Sequence, residues 1–194
     1  MKILLLNYIM TFLFCCLVHA VCLGQNGEQN PVFVLGAQTS HTFWDQPLPE
    51  GTRYKPVVRA VYAAWYLPRE RNRPYAWYIM LEPQWNNVFV GDSSYRELGV
   101  LPGLGIQYRL SKQFYLFGEG GAGVKFITAR TERQARGFLF TDNFIGGIRH
   151  ILGKSPWEIR VHFRARHISN ASLRQPNGGI NNFFFGGGLY FAFH

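Results

Sequence analysis

The stretch Trp157–Asn170, WEIRVHFRARHISN, alternates between two kinds of side chain at every residue. Its odd positions begin with Trp, Ile, Val and Phe, and its even positions begin with Glu, Arg, His and Arg. A period of two residues is typical of a β-strand, because successive side chains of a strand point to opposite faces of the sheet. One face of this strand is therefore apolar and aromatic, and the other is almost wholly charged.

Similar alternation recurs along the chain and predicts eight strands. We place them at about 31–41, 57–67, 75–87, 96–110, 113–129, 136–150, 156–170 and 181–193. These strands are longer than the usual globular strand of about 5–6 residues. They also exceed the length of about 9–11 residues that a β-strand needs to cross a membrane. An even number of long strands is typical of a small outer-membrane barrel.

The alternation leaves two classes of fold open. In a soluble lipocalin-like barrel or a β-sandwich, the charged face would meet water and the apolar face would form a core. In a membrane barrel, the apolar face meets lipid and the charged face lines the interior. The strand length, the Arg-rich face and an aromatic last strand (Tyr190, Phe191 and Phe193, before His194) favour the membrane barrel. We predict an all-β fold, an eight-stranded antiparallel transmembrane β-barrel.

The N-terminus has the order of features that is typical of a secretory signal peptide. Lys2 precedes an apolar run from Ile3 to Val18, and small residues follow at Ala20 and Gly24. We therefore predict a cleaved signal peptide over residues 1–24 and a barrel domain over residues 25–194. A retained membrane anchor is the alternative, but the run is short for a helix that spans about 20 residues.

Composition limits the chemistry and the partners. The three cysteines all lie at or before Cys22, so the barrel domain is predicted to have no disulfide and no thiol nucleophile. No pair of histidines has the spacing of a helical metal site, and we predict neither a metal nor another cofactor. The formal net charge of +9 favours anionic lipid or polysaccharide over nucleic acid for an exported chain. The oligomeric state is not predicted.

The predicted topology places one polar pair at the outer end of the barrel. With both termini in the periplasm, connections at about 42–56, 88–95, 130–135 and 171–180 become outside loops. The seventh strand then runs from the periplasm to the outside, and His167 and Ser169 lie near its outer end. Both are odd-numbered, so they are predicted on the lipid-facing side with Trp157 and Phe163. An imidazole that accepts the hydroxyl proton can make a serine nucleophilic. The simpler interpretation is that the apolar face has reached the headgroup region, where His and Ser are tolerated.

The segment HISNASLRQPNGGIN, residues 167–181, resembles the signature of the lipid A 3-O-deacylase (PagL-type) family of outer-membrane barrels. The matching elements are His-x-Ser-Asn-Ala, a Pro-Asn pair four residues beyond Ser172, and a Gly before the last strand. The resemblance implies that Ser169 is the nucleophile and His167 the general base and acid. It further implies that Asn170 helps to stabilise the oxyanion, with Asn177 in a supporting role.

One position departs from the family pattern. The third catalytic residue of the family is an acid, and its position falls here on Asn181. An amide can accept a hydrogen bond from the imidazole but adds no negative charge, and the corresponding change in a Ser-His-Asp triad costs about 10⁴ in rate. Glu119 and Glu158 are predicted at other depths or on the other face, and the sequence does not place Asp142 relative to His167.

The resemblance implies a serine esterase that removes the 3-O-linked acyl chain of lipid A in the bacterial outer membrane. Its partners would be lipopolysaccharide and the surrounding lipid, and Arg174 in the site loop is a candidate for binding the phosphates. Two alternatives remain open at this stage. The first is a non-enzymatic structural or adhesion barrel with a decayed triad, and the second is an acyltransferase in which a sugar hydroxyl replaces water.

Overall fold

The chain forms a closed antiparallel barrel of eight strands in chain order. The structure, a computed structural model, describes residues 31–68 and 73–194, so the predicted signal peptide lies outside the described residues. The strands are β1 (Phe33–Asp45), β2 (Tyr54–Tyr66), β3 (Tyr75–Val90), β4 (Ser93–Arg109), β5 (Phe114–Ile127), β6 (Gly137–Ile151), β7 (Trp157–Ser169) and β8 (Ile180–Phe193). The prediction of eight strands and of the fold class is confirmed.

Closure of the barrel is made by the pairing of β1 with β8. The register runs from Phe33 opposite Phe193 to Asp45 opposite Asn182, with one irregularity between Thr42 and Trp44. Closure gives every strand a hydrogen-bonded neighbour on both edges, which a strand surrounded by hydrocarbon requires. None of the described residues belongs to a helix that is long and apolar enough to span a membrane.

Two of the predicted outside loops are shorter than the sequence suggested. The loop predicted at 88–95 is a two-residue turn at Gly91 and Asp92, because the ladder between β3 and β4 continues to the pair Val90 and Ser93. Gly91 has a positive φ of 55°, as tight hairpin turns require. The loop predicted at 42–56 covers only 46–53, because a bulge at Thr42 to Trp44 interrupts the period of two and conceals the end of β1.

The outer surface of the barrel is apolar and rich in aromatic side chains. In β7, the odd-numbered residues from Trp157 to Phe163 are exposed while the even-numbered ones are buried, as the alternation predicted. Outward aromatic side chains include Trp65, Trp77, Trp85, Phe138, Phe144, Phe163 and Phe185. An apolar band around the outer surface is what a barrel in a lipid bilayer presents to the lipid.

The middle of the lumen is filled by paired charges. Among the described residues, four glutamates and five Lys or Arg side chains are buried there: Glu82, Glu97, Glu119 and Glu158, and Lys125, Arg149, Arg160, Arg164 and Arg166. Arg164 binds both carboxylate oxygens of Glu82, at 2.8 and 2.9 Å. Glu97 pairs with Arg166 at 2.8 Å and with Lys125 at 3.4 Å. The pairs of Arg164 with Glu82 and of Arg166 with Glu97 cross the barrel from β7 to β3 and β4, so they fix the positions of distant strands relative to one another.

Two apolar clusters pack together with these charges in the lumen. One cluster lies near the chain termini and includes Val34, Tyr62 and Tyr190. The other lies near the long loops and includes Leu139, Ile168 and Ile180. Because charged pairs and apolar clusters fill the lumen together, the interior is a packed core rather than an open channel.

Removing one lumen charge is expected to destabilise the barrel. Glu97→Gln keeps the size of the side chain but leaves Arg166 and Lys125 without their shared counter-ion. Loss of one partner of a buried ion pair costs about 3–5 kcal/mol. We expect a loss of that size in the free energy of unfolding, measured by denaturant titration in lipid vesicles. Glu132→Gln, on an exposed loop residue, is the control, and an equal effect of both substitutions would contradict a stabilising role for the ion pairs.

Candidate active site on the outer wall of the barrel

His167 and Ser169 lie near the loop end of β7 on the outward face of the barrel. Both side chains are partly exposed, while their neighbours Arg166 and Ile168 are buried in the lumen. The predicted placement of the pair on the lipid-facing side is therefore confirmed. Side chains two residues apart on a strand share a face, with Cα atoms about 7 Å apart. Within the described residues the Ser169 hydroxyl makes no hydrogen bond, so it is free to rotate toward the imidazole.

Asn181 holds the imidazole of His167 from the neighbouring strand. The two residues are directly opposite each other in the ladder of β7 and β8. His167 Nδ1 lies 2.8 Å from Asn181 Oδ1, so the ring N–H donates to the amide oxygen. The predicted position of Asn181 beside His167 is confirmed. With Nδ1 protonated, the other ring nitrogen, Nε2, carries the lone pair that can accept a proton.

Gln46 fixes the orientation of the Asn181 side chain. Asn181 Nδ2 donates to Gln46 Oε1 at 3.0 Å, and the Gln46 backbone N–H donates to the Asn181 carbonyl oxygen at 3.1 Å. The amide of Asn181 therefore has its nitrogen toward Gln46 and its oxygen toward His167. Gln46 reaches this position because it directly follows β1, which pairs with β8 at the closure of the barrel.

Gly179 provides the space that the imidazole occupies. A Cβ atom at Gly179 would lie 2.6 Å from Cε1 and 3.1 Å from Nε2 of His167. The φ of Gly179 is +61°, a conformation that residues with a side chain rarely adopt. The glycine before the last strand is thus required by both the backbone and the histidine ring.

The loop after Ser169 is held together by two asparagines. The backbone N–H of Asn170 donates to Asn177 Oδ1 at 2.9 Å, and Asn170 Nδ2 donates to the carbonyl oxygen of Arg174 at 2.6 Å. Asn177 Nδ2 donates to Ser172 Oγ at 3.2 Å. Asn170 is buried, with its donors used inside the loop, whereas Arg174 is exposed to solvent. Both asparagines therefore hold the loop that follows Ser169.

The connection between β5 and β6 packs against this loop. Arg133 donates from Nε to the carbonyl oxygen of Gly179 at 3.0 Å and from Nη2 to that of Gly178 at 2.7 Å. The Gly178 N–H donates in return to the Arg133 carbonyl oxygen. A guanidinium group is therefore fixed close to the glycine that faces His167.

A carboxylate flanks His167 on the other side. Asp142 of β6 is directly opposite His167 in the ladder of β6 and β7. Its side chain is exposed, on the same outward face as Phe140 and Phe144. His167 thus has Asn181 on one neighbouring strand and Asp142 on the other. Glu119 and Glu158 are buried in the lumen, on the other side of the wall.

A shallow apolar groove runs along the outer wall below the site. Phe43, Phe144, Phe163 and Phe183 border it, and Ala165 lies at the end nearest His167. Gly118, Gly120 and Gly146 form part of its floor. A Cβ atom added at Gly118 or Gly146 would contact no side chain, so the groove exists because these residues have none.

The sequence model of a known family, "Lipid A 3-O-deacylase (PagL)", matches residues 33–189. The match covers nearly the whole described barrel and includes every residue of the site. This chain belongs to the lipid A 3-O-deacylase (PagL) family. It is accordingly an outer-membrane β-barrel, as the long alternating strands predicted.

One of the solved structures similar to this chain shows the same fold. The outer-membrane enzyme PagL aligns with a TM-score of 0.55 and 18% identity, over 80% of this chain and 97% of the PagL chain. The attachment invasion locus protein Ail of Yersinia pestis aligns with a TM-score of 0.46 and 11% identity, over 84% of this chain and 100% of Ail. The outer-membrane protein OprG of Pseudomonas aeruginosa aligns with a TM-score of 0.45 and 12% identity, over 86% of this chain and 98% of OprG. No curated protein sequence matches the chain significantly.

Two residues of this family member's site were not assigned from the sequence. Gln46 is separated from Asn181 by 135 positions, and only the rule that the first and last strands pair could have suggested their contact. Asp142 has a stronger signal, since it shares the parity of Phe138, Phe140 and Phe144 in β6. The odd or even position along a strand shows only whether a side chain points outward or inward. The register between β6 and β7 is also needed to place Asp142 beside His167.

A methyl group at Gly179 is expected to displace the histidine of this PagL-family site. In Gly179→Ala the new Cβ would overlap the His167 ring, and the positive φ would add strain of about 1–3 kcal/mol. We expect the hydrogen bond to Asn181 to be lost, measured as a change in the nitrogen chemical shifts of His167 by NMR in micelles. Gly178→Ala is the control, because its Cβ would lie 3.4 Å or more from any neighbour. Unchanged shifts in Gly179→Ala would contradict this packing.

Proposed function

We propose that this chain is a serine esterase that hydrolyses the 3-O-linked acyl ester of lipid A. The observation that carries the proposal is the outward-facing imidazole of His167, held at Nδ1 by Asn181 and followed two residues later by Ser169. A histidine oriented in this way next to a serine is the arrangement that nucleophilic ester cleavage requires. Its place on the lipid-facing wall suits a substrate that is itself a membrane lipid.

The proposed reaction has two stages. The Ser169 oxygen attacks the ester carbonyl carbon while its proton passes to His167 Nε2. The tetrahedral intermediate collapses, the bond to the sugar oxygen breaks, and Nε2 returns the proton to that oxygen. Water then attacks the acyl-Ser169 ester, again with His167 as base, and the fatty acid leaves as Ser169 recovers its proton. These steps use side chains and water and need no cofactor.

The loop after Ser169 is the proposed source of oxyanion stabilisation. Asn170 and Asn177 use their polar groups to hold this loop. The backbone N–H groups of Ala171 and Ser172 have no acceptor within the described part of the chain. We assign the asparagines the role of fixing these N–H groups close to the reacting ester, where donors to a developing oxyanion are most effective.

The apolar groove supports the identity of the substrate. Its lining includes Ala165, two residues before His167 on the same face, and it extends across the outer wall past Phe144 to Leu104 and Trp77. An acyl chain lying in the groove would keep its ester at the level of Ser169. Arg174, exposed in the loop above, is the proposed partner of the lipid A phosphates, because guanidinium groups bind phosphate through paired hydrogen bonds.

Replacing the proposed nucleophile is expected to abolish the reaction. We expect Ser169→Ala to lower fatty-acid release from lipopolysaccharide by at least about 10³-fold, because the imidazole then has no hydroxyl to activate. The measurement is mass spectrometry of the products formed by the purified barrel in detergent micelles. The control is Ser94→Ala, which removes another exposed serine near the loop end of the barrel.

Three outcomes of this experiment are informative. Free fatty acid from the native protein and from Ser94→Ala, but not from Ser169→Ala, supports the esterase. Transfer of the acyl chain to a sugar without release of fatty acid would replace hydrolysis by an acyltransferase reaction. Unchanged substrate with the folded native protein would contradict the proposal and favour a non-enzymatic barrel.

A further inference from the structure

His167 has a potential partner on each of its two neighbouring strands. Asp142 and Asn181 are both directly opposite His167, one in the ladder with β6 and the other in the ladder with β8. All three side chains are on the outward face. Directly opposite residues of an antiparallel pair have Cβ atoms about 4.5–5.5 Å apart. The imidazole therefore lies between an amide and a carboxylate.

The acid of a serine-histidine-acid triad performs two separate tasks. It accepts a hydrogen bond from Nδ1, which fixes the tautomer and orientation of the ring, and its negative charge stabilises the imidazolium that forms when the serine proton is taken. Asn181 performs the first task through its bond of 2.8 Å to Nδ1. Because an amide is neutral, Asn181 does not perform the second.

Gln46 orients the Asn181 amide so that it can accept the hydrogen bond from His167 Nδ1. An amide can turn so that its nitrogen faces the histidine, which would favour the wrong tautomer. In this chain the Asn181 nitrogen donates to Gln46 Oε1 at 3.0 Å, and the backbones of the two residues are also hydrogen-bonded. Both contacts hold the oxygen of Asn181 toward the ring.

The surroundings of His167 include a fixed positive charge, so a nearby anion would favour the imidazolium. The guanidinium of Arg133 is bonded to the carbonyl oxygens of Gly178 and Gly179, and Gly179 is in contact with the imidazole. A second positive charge on the ring would be disfavoured there unless an anion were near. Asp45, which is opposite Asn182 in the ladder of β1 and β8, is buried and pairs with Arg53. Among the described residues, the acid in register with His167 is Asp142.

We propose that the two tasks of the triad acid are divided between two strands in this chain. Asn181, oriented by Gln46, fixes the ring tautomer, and Asp142 supplies the negative charge that stabilises the imidazolium. The inference rests on the proposed esterase function. When the Ser169 proton moves to Nε2, the ring gains one positive charge opposite the ionised Asp142. No proton moves to Asp142, and Nε2 later gives its proton to the leaving sugar oxygen.

The charge of Asp142 is tested by double substitution. Asp142→Asn is neutral and of equal size, and it is expected to lower kcat by about 10- to 100-fold with little change in KM, because the imidazolium would lose the charge on the neighbouring strand. Asp142→Glu should restore most of the rate. In an Asn181→Glu background, β8 supplies a carboxylate at the position where the family pattern has an acid. Asp142→Asn should then lower kcat by less than about 3-fold, because the imidazolium has another negative charge beside it.

The tautomer assignment has a separate readout. NMR of the histidine ring nitrogens should show Nδ1 protonated in the native protein and in Asp142→Asn, since Asp142 does not hold the ring. Gln46→Leu removes the acceptor of the Asn181 nitrogen and should shift His167 toward the other tautomer. Gln46→Glu, which can only accept, should keep the native one. Heat-dependent migration on gels confirms that each variant is folded.

The failures of the two proposals are distinguishable. If the native protein releases fatty acid in a Ser169-dependent way but Asp142→Asn is as fast as the native protein, the division of tasks is wrong and the esterase stands. Equal losses from Asp142→Asn in both backgrounds would show a role in folding or substrate binding instead. If only Asn181→Glu is active, Asp142 does not provide the charge. If all variants are inactive while folded, both proposals fall.

Discussion

Closure of the barrel is the constraint on which the rest of the structure depends. A strand in hydrocarbon has no water to satisfy its backbone, so both of its edges must be paired. The chain meets this requirement by pairing β1 with β8 over nearly their full length. The same pairing brings Gln46 next to Asn181 and, through Asn181, determines how the His167 ring is held. A requirement of the membrane thus creates one side of the candidate site.

The charged lumen explains why the site can be built on the outside. Because ion pairs such as Arg164 with Glu82 and Arg166 with Glu97 cross the interior, the register of the strands is fixed from within. A slip of one residue in β7 would place its arginines in lipid, and this cost specifies the register strongly. His167 is held opposite Asp142 and Asn181 by this register. The outward side chains can therefore form a reactive site without also having to stabilise the fold.

The parts of the site that the sequence predicted follow from parity within one strand or one hairpin. Alternation in β7 placed His167 and Ser169 on the outer wall, and the hairpin to β8 placed Asn181 beside them. Gln46 and Asp142 were beyond this reasoning, since one depends on closure of the barrel and the other on the register between β6 and β7. The bulge at Phe43 also concealed the end of β1, and the turn at Gly91 was concealed within a predicted loop.

The most direct test of the proposed chemistry is mass spectrometry of lipid A from cells that produce this protein in their outer membrane. We expect lipid A that has lost one ester-linked acyl chain from the 3-position, because the membrane itself delivers the substrate to the outer wall where His167 and Ser169 lie. Lipid A with its full set of acyl chains, in cells where the barrel is folded and inserted, would contradict the assignment of this site as an esterase.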